Sequence, residues 1–301
     1  MEKINFRHSL IFFNFCIFFS PFYLLLNFEP VLFCLFLILI LGISHGALDN
    51  VKGKKLLRLF GYKSTFYFYL AYIVISILII FFWLLFPNTV LLLFLIVASY
   101  HFGKEDTVFT FKKKFLISEC LYFLKGSAVI LTPLLFQKDK TNEIFQILNF
   151  NFFESQIFSN HFLITLLCLS FLSSLLISNQ KNSDMKGLMI MDFFSLIILN
   201  IFLTPVLAFT IYFCFLHSIR HSISLVFELD KSFKSGFKKF ISRAIPLTCI
   251  TGIIFLVAIY FLSNFYMLDE AIYKVIFIGL ASLTFPHILL EYLLEKNEKR
   301  T

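Results

Sequence analysis

The sequence predicts an all-α fold: a polytopic bundle of about eight to ten transmembrane helices forming a single integral membrane domain over residues 1–301. Two observations carry this. Hydrophobic residues make up 59% of the chain and charged residues 15%, with a mean hydropathy of +0.88. Soluble domains carry about 25% charged residues, and a water-soluble fold of 301 residues has no core large enough for 45 phenylalanines. The apolar residues also fall into recurring runs of about 20, the length a helix needs to cross a hydrocarbon layer roughly 30 Å thick.

Ten apolar segments follow in order: 9–28, 30–48, 66–86, 88–103, 115–136, 161–178, 188–203, 205–227, 246–264 and 271–294. The second, fourth and seventh are short. Basic residues collect in alternate loops: Lys52, Lys54, Lys55, Arg58 and Lys63; Lys112, Lys113 and Lys114; Lys231, Lys234, Lys238, Lys239 and Arg243; and Lys296, Lys299 and Arg300. The connections at 27–30, 87–88 and 204–205 carry none. With ten spans, every strongly basic loop lies on one side, which the positive-inside rule makes the cytoplasmic side of the cell's plasma membrane, together with both termini. The net charge of +8 is then a topology signal, not a mark of nucleic-acid binding. The first run contains Pro21 and is followed by further spans, so no cleavable signal peptide is expected. The six cysteines stand singly in apolar runs, without a CxxC pair, and read as packing residues. The longest loop, 137–160, contains an apolar and aromatic stretch, Ile144 to Phe153, expected to lie along the interface.

The chain has seven histidines. His8 and His161 begin segments near water and call for no special account. His45, His101, His217, His221 and His287 sit inside or at the ends of apolar segments, where ionisable groups are rare and functional by default. All five lie in even-numbered segments, which run toward the same side. At about 1.5 Å of rise per residue, they fall within about three turns of the cytoplasmic edge. Imidazoles at one depth on four helices are what a single metal site in a bundle requires; unrelated packing histidines have no reason to share a depth.

Local patterns add to this. His217-Ser-Ile-Arg-His221 is an i, i+4 pair with both rings on one helix face. Asp49 follows His45 by one turn, placed either to hold the second nitrogen of a metal-bound imidazole or simply as an interfacial charge beside Lys52. Glu105 and Asp106 follow His101, as supporting carboxylates or solvated charges. Pro286 precedes His287, with Glu291 one turn beyond. Gly42, Gly46 and Ala47 permit close helix approach. An imidazole-rich set without cysteine suits Zn, Cu, Fe or Ni, and composition does not choose among them. The phenylalanines are mostly lipid-facing. Asp192 and Lys125, mid-segment, have no evident role.

The ordered motifs GxxHGALD, YHFGxED, HSxRH and FPHxLLE, from Gly42 to Glu291, resemble the Brp/Blh family of membrane β-carotene dioxygenases. The resemblance implies oxidative cleavage of β-carotene by O₂ at the central 15,15′ double bond. Two molecules of all-trans-retinal would form, at a non-haem Fe(II) in an apolar tunnel, and pass to a microbial rhodopsin. Motif by motif, it implies His45, His101, His217 and His221 as metal ligands. His287 is then a candidate fifth ligand or pocket residue, with Asp49, Glu105, Asp106 and Glu291 as supporting carboxylates. No catalytic residue is expected beyond the ligands, in keeping with the absence of a Ser/His/Asp or Cys/His arrangement. Ser44 and Asn50 stand where the family commonly has a proline and a histidine. Two other readings compete. A membrane di-iron desaturase or hydroxylase draws on more histidines, in HxxxH and HxxHH clusters. A His-lined metal or proton transporter favours ligands spread through the membrane depth, with acids near its middle.

Overall fold

The structure, a computed structural model, describes residues 2–23, 25, 30–62, 64–107, 116–150, 159–178 and 183–298. Within these, the side chains of Ser44, His45, Ala47, Leu116, Ser183, Asp184 and Glu298 lie outside what is described. No strand occurs among the described residues. The helices are α1 (Glu2–Tyr23), α2 (Val31–Leu37), α3 (Asp49–Leu59), α4 (Phe66–Leu85), α5 (Pro87–Glu105), α6 (Leu116–Phe136), α7 (Lys138–Ile147), α8 (Asn160–Ser178), α9 (Ser183–Phe202), α10 (Pro205–Ile211), α11 (Ile219–Leu229), α12 (Phe233–Leu262) and α13 (Leu268–Glu298). Irregular turns join two of these pairs. A π-helical turn (Ile38–Gly42) and a 3₁₀ turn (Ile43–Leu48) link α2 to α3, and a longer π-helical segment (Tyr212–Ser218) links α10 to α11.

Each of the ten predicted segments coincides with a helical stretch. Among the described residues, seven helices are long and apolar enough to cross a membrane, and Val31–Gly42 is a shorter apolar one. This is the make-up of a multi-pass membrane protein. Trp83 is the sole buried residue of α4, most of whose aromatic and aliphatic side chains stand exposed. Such a surface is untenable in water and ordinary in lipid, where the helix already satisfies its own backbone. α12 begins well before the predicted 246, so the basic stretch 234–243 is helical too. Lys and Arg are good helix formers, and Asp230 ties down the first turns. It accepts from the Ser232 backbone N–H (2.9 Å), the Ser235 hydroxyl (2.7 Å) and the Lys239 ammonium (2.6 Å). These donors hold the Asp230 carboxyl well below the usual carboxylate range.

The chain groups into two compact units, Met1–Leu37 with Leu95–His221 and Ile38–Phe94 with Ser222–Thr301. In the first, α1 lies along α9, and α6 packs on α8 and α9. α5 meets α6 backbone to backbone. A Cβ on Gly103 would stand 1.7 Å from the Tyr122 carbonyl oxygen, and one on Gly126 would stand 1.8 Å from that of Ser99. Any larger residue at either position must drive the helices apart. The stretch expected at the interface is instead packed. α7 occupies its start, and Ile144, Phe145, Leu148 and Phe150 are buried, because an apolar cluster gains more from the protein core than from the headgroup layer. Its remainder, 151–153, lies outside the described residues, as do Lys112, Lys113 and Lys114.

In the second unit, α3 and α4 pack on α13, and α12 packs on the 3₁₀ turn. Leu48, Leu225, Val226, Phe240 and Ala244 form one core there, and Leu56, Leu290 and Leu294 another. At Gly46 the approach is to the adjoining α3: among the described residues, a Cβ there would meet the Asp49 carboxylate, at 3.5 Å.

Candidate metal centre

In the first unit, the YHFGxED and HSxRH motifs come together. His217 Nδ1 stands 2.9 Å from Asp106 Oδ1, and His221 Nδ1 stands 3.0 Å from Glu105 Oε2. Two consecutive carboxylates, at and just past the end of α5, thus serve two histidines one turn apart. An ionised carboxylate only accepts, so each ring carries its proton on Nδ1, and Nε2 is the nitrogen that could bind a metal. The His101 and His217 rings lie 5.3 Å apart, centroid to centroid, at 67°. A ligating imidazole places its centroid about 3.2 Å from the ion, a bond of about 2.1 Å plus about 1.1 Å of ring. Two such rings at 90–110° are separated by roughly 4.5–5.3 Å, so the spacing fits two ligands of one ion. Phe102 meets His217 edge-on at 4.9 Å and Phe213 stacks on it at 5.7 Å, leaving His217 only 1% exposed.

Asp106 gathers more than His217. Its second oxygen accepts from the Tyr212 hydroxyl, and its backbone carbonyl accepts from Arg220 at 3.3 Å. Arg220 in turn forks onto Asp192 at 2.7 and 3.1 Å and donates to the Ser9 hydroxyl at 2.7 Å. This explains Asp192, which the sequence left without a role. It is the buried counter-ion of a buried guanidinium, and Arg–carboxylate forks are the geometry that makes such burial tolerable. Lys125 reaches toward the Gly103 carbonyl at 3.5 Å. With Asp106, Asp192 and Tyr212, it borders a cavity of about 30 Å³, room for a water or two.

The residues 212–217 owe this shared anchor to the π-helical segment. In an α-helix, residues five apart point about 140° away from each other. The wider i→i+5 turn of a π-helix brings them much closer together, and Tyr212 and His217 reach the same carboxylate. His8, expected near water, is half-buried, and its Nε2 donates to the Phe215 carbonyl at 2.9 Å. His161 is exposed, as expected.

In the second unit, Asp49 is buried and both its oxygens lie 2.9 Å from His287 Nδ1. The Tyr72 hydroxyl donates to Asp49 Oδ2 at 3.0 Å and lies 3.2 Å from the Leu283 carbonyl. Among the described side chains, the histidine that Asp49 holds is His287. The His45 backbone occupies the 3₁₀ turn just ahead of Asp49, and its side chain lies outside the described residues. Glu291 Oε1 is 3.8 Å from His287 Nε2, beyond hydrogen-bond range. Its close partner is Lys52, at 2.7 Å. Phe94 lies between Trp83 and Phe285, 6.5 Å from each ring, an aromatic wall on the helix carrying His287.

The sequence thus named the histidines and the carboxylates but missed Tyr72, Tyr212, Arg220 and His8. Arg220 did carry a signal, a guanidinium between two histidines within an apolar segment. The two tyrosines carried none, being common residues in an aromatic-rich chain.

Comparison with known proteins falls in line with the motifs. The beta-carotene 15,15'-dioxygenase family profile matches residues 36–295. A curated relative, the beta-carotene 15,15'-dioxygenase of the uncultured marine bacterium 66A03, is 30% identical over 272 residues, covering 88% of this chain and 94% of its own. No solved structure matches.

Proposed function

The chain belongs to the beta-carotene 15,15'-dioxygenase family of oxygenases, and from that premise we propose that it cleaves β-carotene with O₂ at the central double bond into two molecules of all-trans-retinal. The proposed site holds Fe(II) on His45, His101, His217 and His221, with His287 as a fifth ligand or pocket group.

The observation that carries this reading is the paired carboxylate clamp, Asp106 on His217 and Glu105 on His221. It is the arrangement by which proteins orient metal-bound imidazoles, and Asp49 treats His287 the same way. Neutral imidazoles suit iron, and bound Fe(II) supplies the unpaired electrons that ground-state O₂ needs to react with a closed-shell polyene. The protein's own groups do the rest. Glu105, Asp106 and Asp49 fix ring orientation and keep the protons on Nδ1. Phe102 and Phe213 shut water away from His217. The apolar helices allow a carotene to arrive from the bilayer. One alkene and one O₂ become two aldehydes with no proton gained or lost, so the site needs no acid or base. β-Carotene offers no hydrogen-bonding group, so the position of cleavage follows from the length of the apolar path on either side of the metal.

We place the protein in the plasma membrane, with both termini cytoplasmic and its retinal passed to a microbial rhodopsin. A di-iron desaturase or hydroxylase fits less well, since the apolar segments carry five histidines and one HxxxH pair. A transporter fits less well because Asp192, the acid near mid-segment, is already paired with Arg220.

Expression in β-carotene-producing bacteria is expected to bleach the cells and yield retinal. His217→Ala and His221→Ala are expected to abolish retinal while the protein still accumulates in membranes, and full activity of either variant would overturn the ligand assignment. Bleaching without retinal would mean cleavage away from the centre.

A further inference from the structure

We propose that His8 is a positioning residue of this oxygenase site: it holds the π-helical segment that lets Tyr212 and His217 share Asp106. The inference rests on the functional reading above for what the site does, and on geometry for what His8 does.

The bond from His8 Nε2 to the Phe215 carbonyl, at 2.9 Å, joins residues 207 apart in the chain. His8 Nδ1 is buried and makes no hydrogen bond among the described residues, so the carbonyl is the polar contact that the ring keeps. A regular α-helix would use the Phe215 carbonyl for the N–H four residues on. In the π-helical segment the backbone ladder shifts to i→i+5, and a carbonyl's second lone pair stays open to a further donor in a membrane interior where no water stands ready to supply one. His8 supplies the donor. Ser9, the next residue, accepts from Arg220, so consecutive residues of α1 grip the chain on both sides of His217. Without the wider turn, residues 212 and 217 would diverge by about 140°, and one of them would leave the carboxylate. α1 precedes residue 36, where the family match begins, so this grip comes from a part of the chain that the four motifs do not cover.

The test compares full-length wild type with His8→Leu, His8→Gln, Tyr212→Phe and the double variant His8→Leu/Tyr212→Phe, reading kcat and KM for β-carotene and iron per chain in purified protein. The glutamine amide reaches roughly where Nε2 stands and keeps a donor there; leucine does not. His8→Leu is expected to lower kcat and iron occupancy by about tenfold, the effect of a group that orients a metal ligand, with KM little changed. His8→Gln is expected to recover most of both. His8→Leu should cost little more once Tyr212→Phe is present, because both act through one alignment. Wild-type kcat and iron in His8→Leu would overturn the proposal, as would His8→Gln performing no better than His8→Leu, or losses that simply multiply in the double variant. If His8→Leu does not accumulate, His8→Asn replaces it: its shorter amide falls short of Phe215, and activity equal to that of His8→Gln would overturn the proposal. If wild type itself makes no retinal, the functional reading fails, while iron occupancy across the same variants still tests His8.

Discussion

The two units orient histidines by the same device at different depth of support. In the first, two histidines take two adjacent carboxylates, and Asp106 is itself held by Tyr212 and Arg220, with Asp192 and Ser9 behind. In the second, among the described residues, one carboxylate serves one histidine through both its oxygens, backed by one tyrosine. A cation of that unit, Lys52, is engaged by Glu291 at 2.7 Å. The difference teaches where damage spreads. A break in the first unit strands buried charges in sequence; one in the second stays local.

The largest effect tests whether the carboxylate-held histidine of each unit is a ligand. His217→Ala is expected to lose iron and all retinal formation. His287→Ala is expected to lose iron as well, because its Nδ1 is clamped as that of His217 is. Wild-type iron by metal analysis in His287→Ala would make His287 a pocket residue and end the parallel between the units.

Next come the clamps. Asp106→Asn and Asp49→Asn should each lower iron affinity or activity by about 10–100-fold, with Asp106→Asn the more severe because Tyr212 shares that carboxylate. Equal losses in a side-by-side metal titration would count against the layered support of the first unit. Behind Asp106, Arg220→Met or Asp192→Leu alone should cost about 3–5 kcal/mol of stability by leaving a buried charge unpaired. The double variant should be less unstable than the sum, as read by thermal unfolding in detergent.

Smaller still is Tyr72→Phe, expected to cost about 1 kcal/mol and to reduce activity only a few-fold, since both Asp49 oxygens still face His287. The smallest is Lys52→Gln. Both partners of the Lys52–Glu291 pair are partly exposed, at 17% and 19% of their side chains, and such pairs contribute about 0–1 kcal/mol. A loss from Lys52→Gln as large as that from Asp49→Asn would show that the second unit relies on its cation after all.

The helical membrane class was legible in composition, and the ten segments in hydropathy, because both depend on residues close in sequence. The histidines stood out for a related reason: a bilayer makes an imidazole costly wherever it sits. Spacing within one helix also announced the HxxxH pair and placed Glu105 and Asp106 just after His101. Partnership was another matter. Asp49 stands four residues after His45 in the chain, and in the structure it also meets His287, 238 residues on, which no local spacing announces. Asp192 answers Arg220 across 28 residues, and His8 answers Phe215 across 207.

By itself, then, the sequence determined the kind of protein, its apolar helical segments and the candidate residues for a metal site. These follow from local chemistry and helical periodicity. Tertiary structure alone decided which carboxylate orients which histidine, and where a helix widens to let two side chains share one acid. A hydrogen bond depends on where helices meet in space, and that is set by packing between segments far apart in the chain.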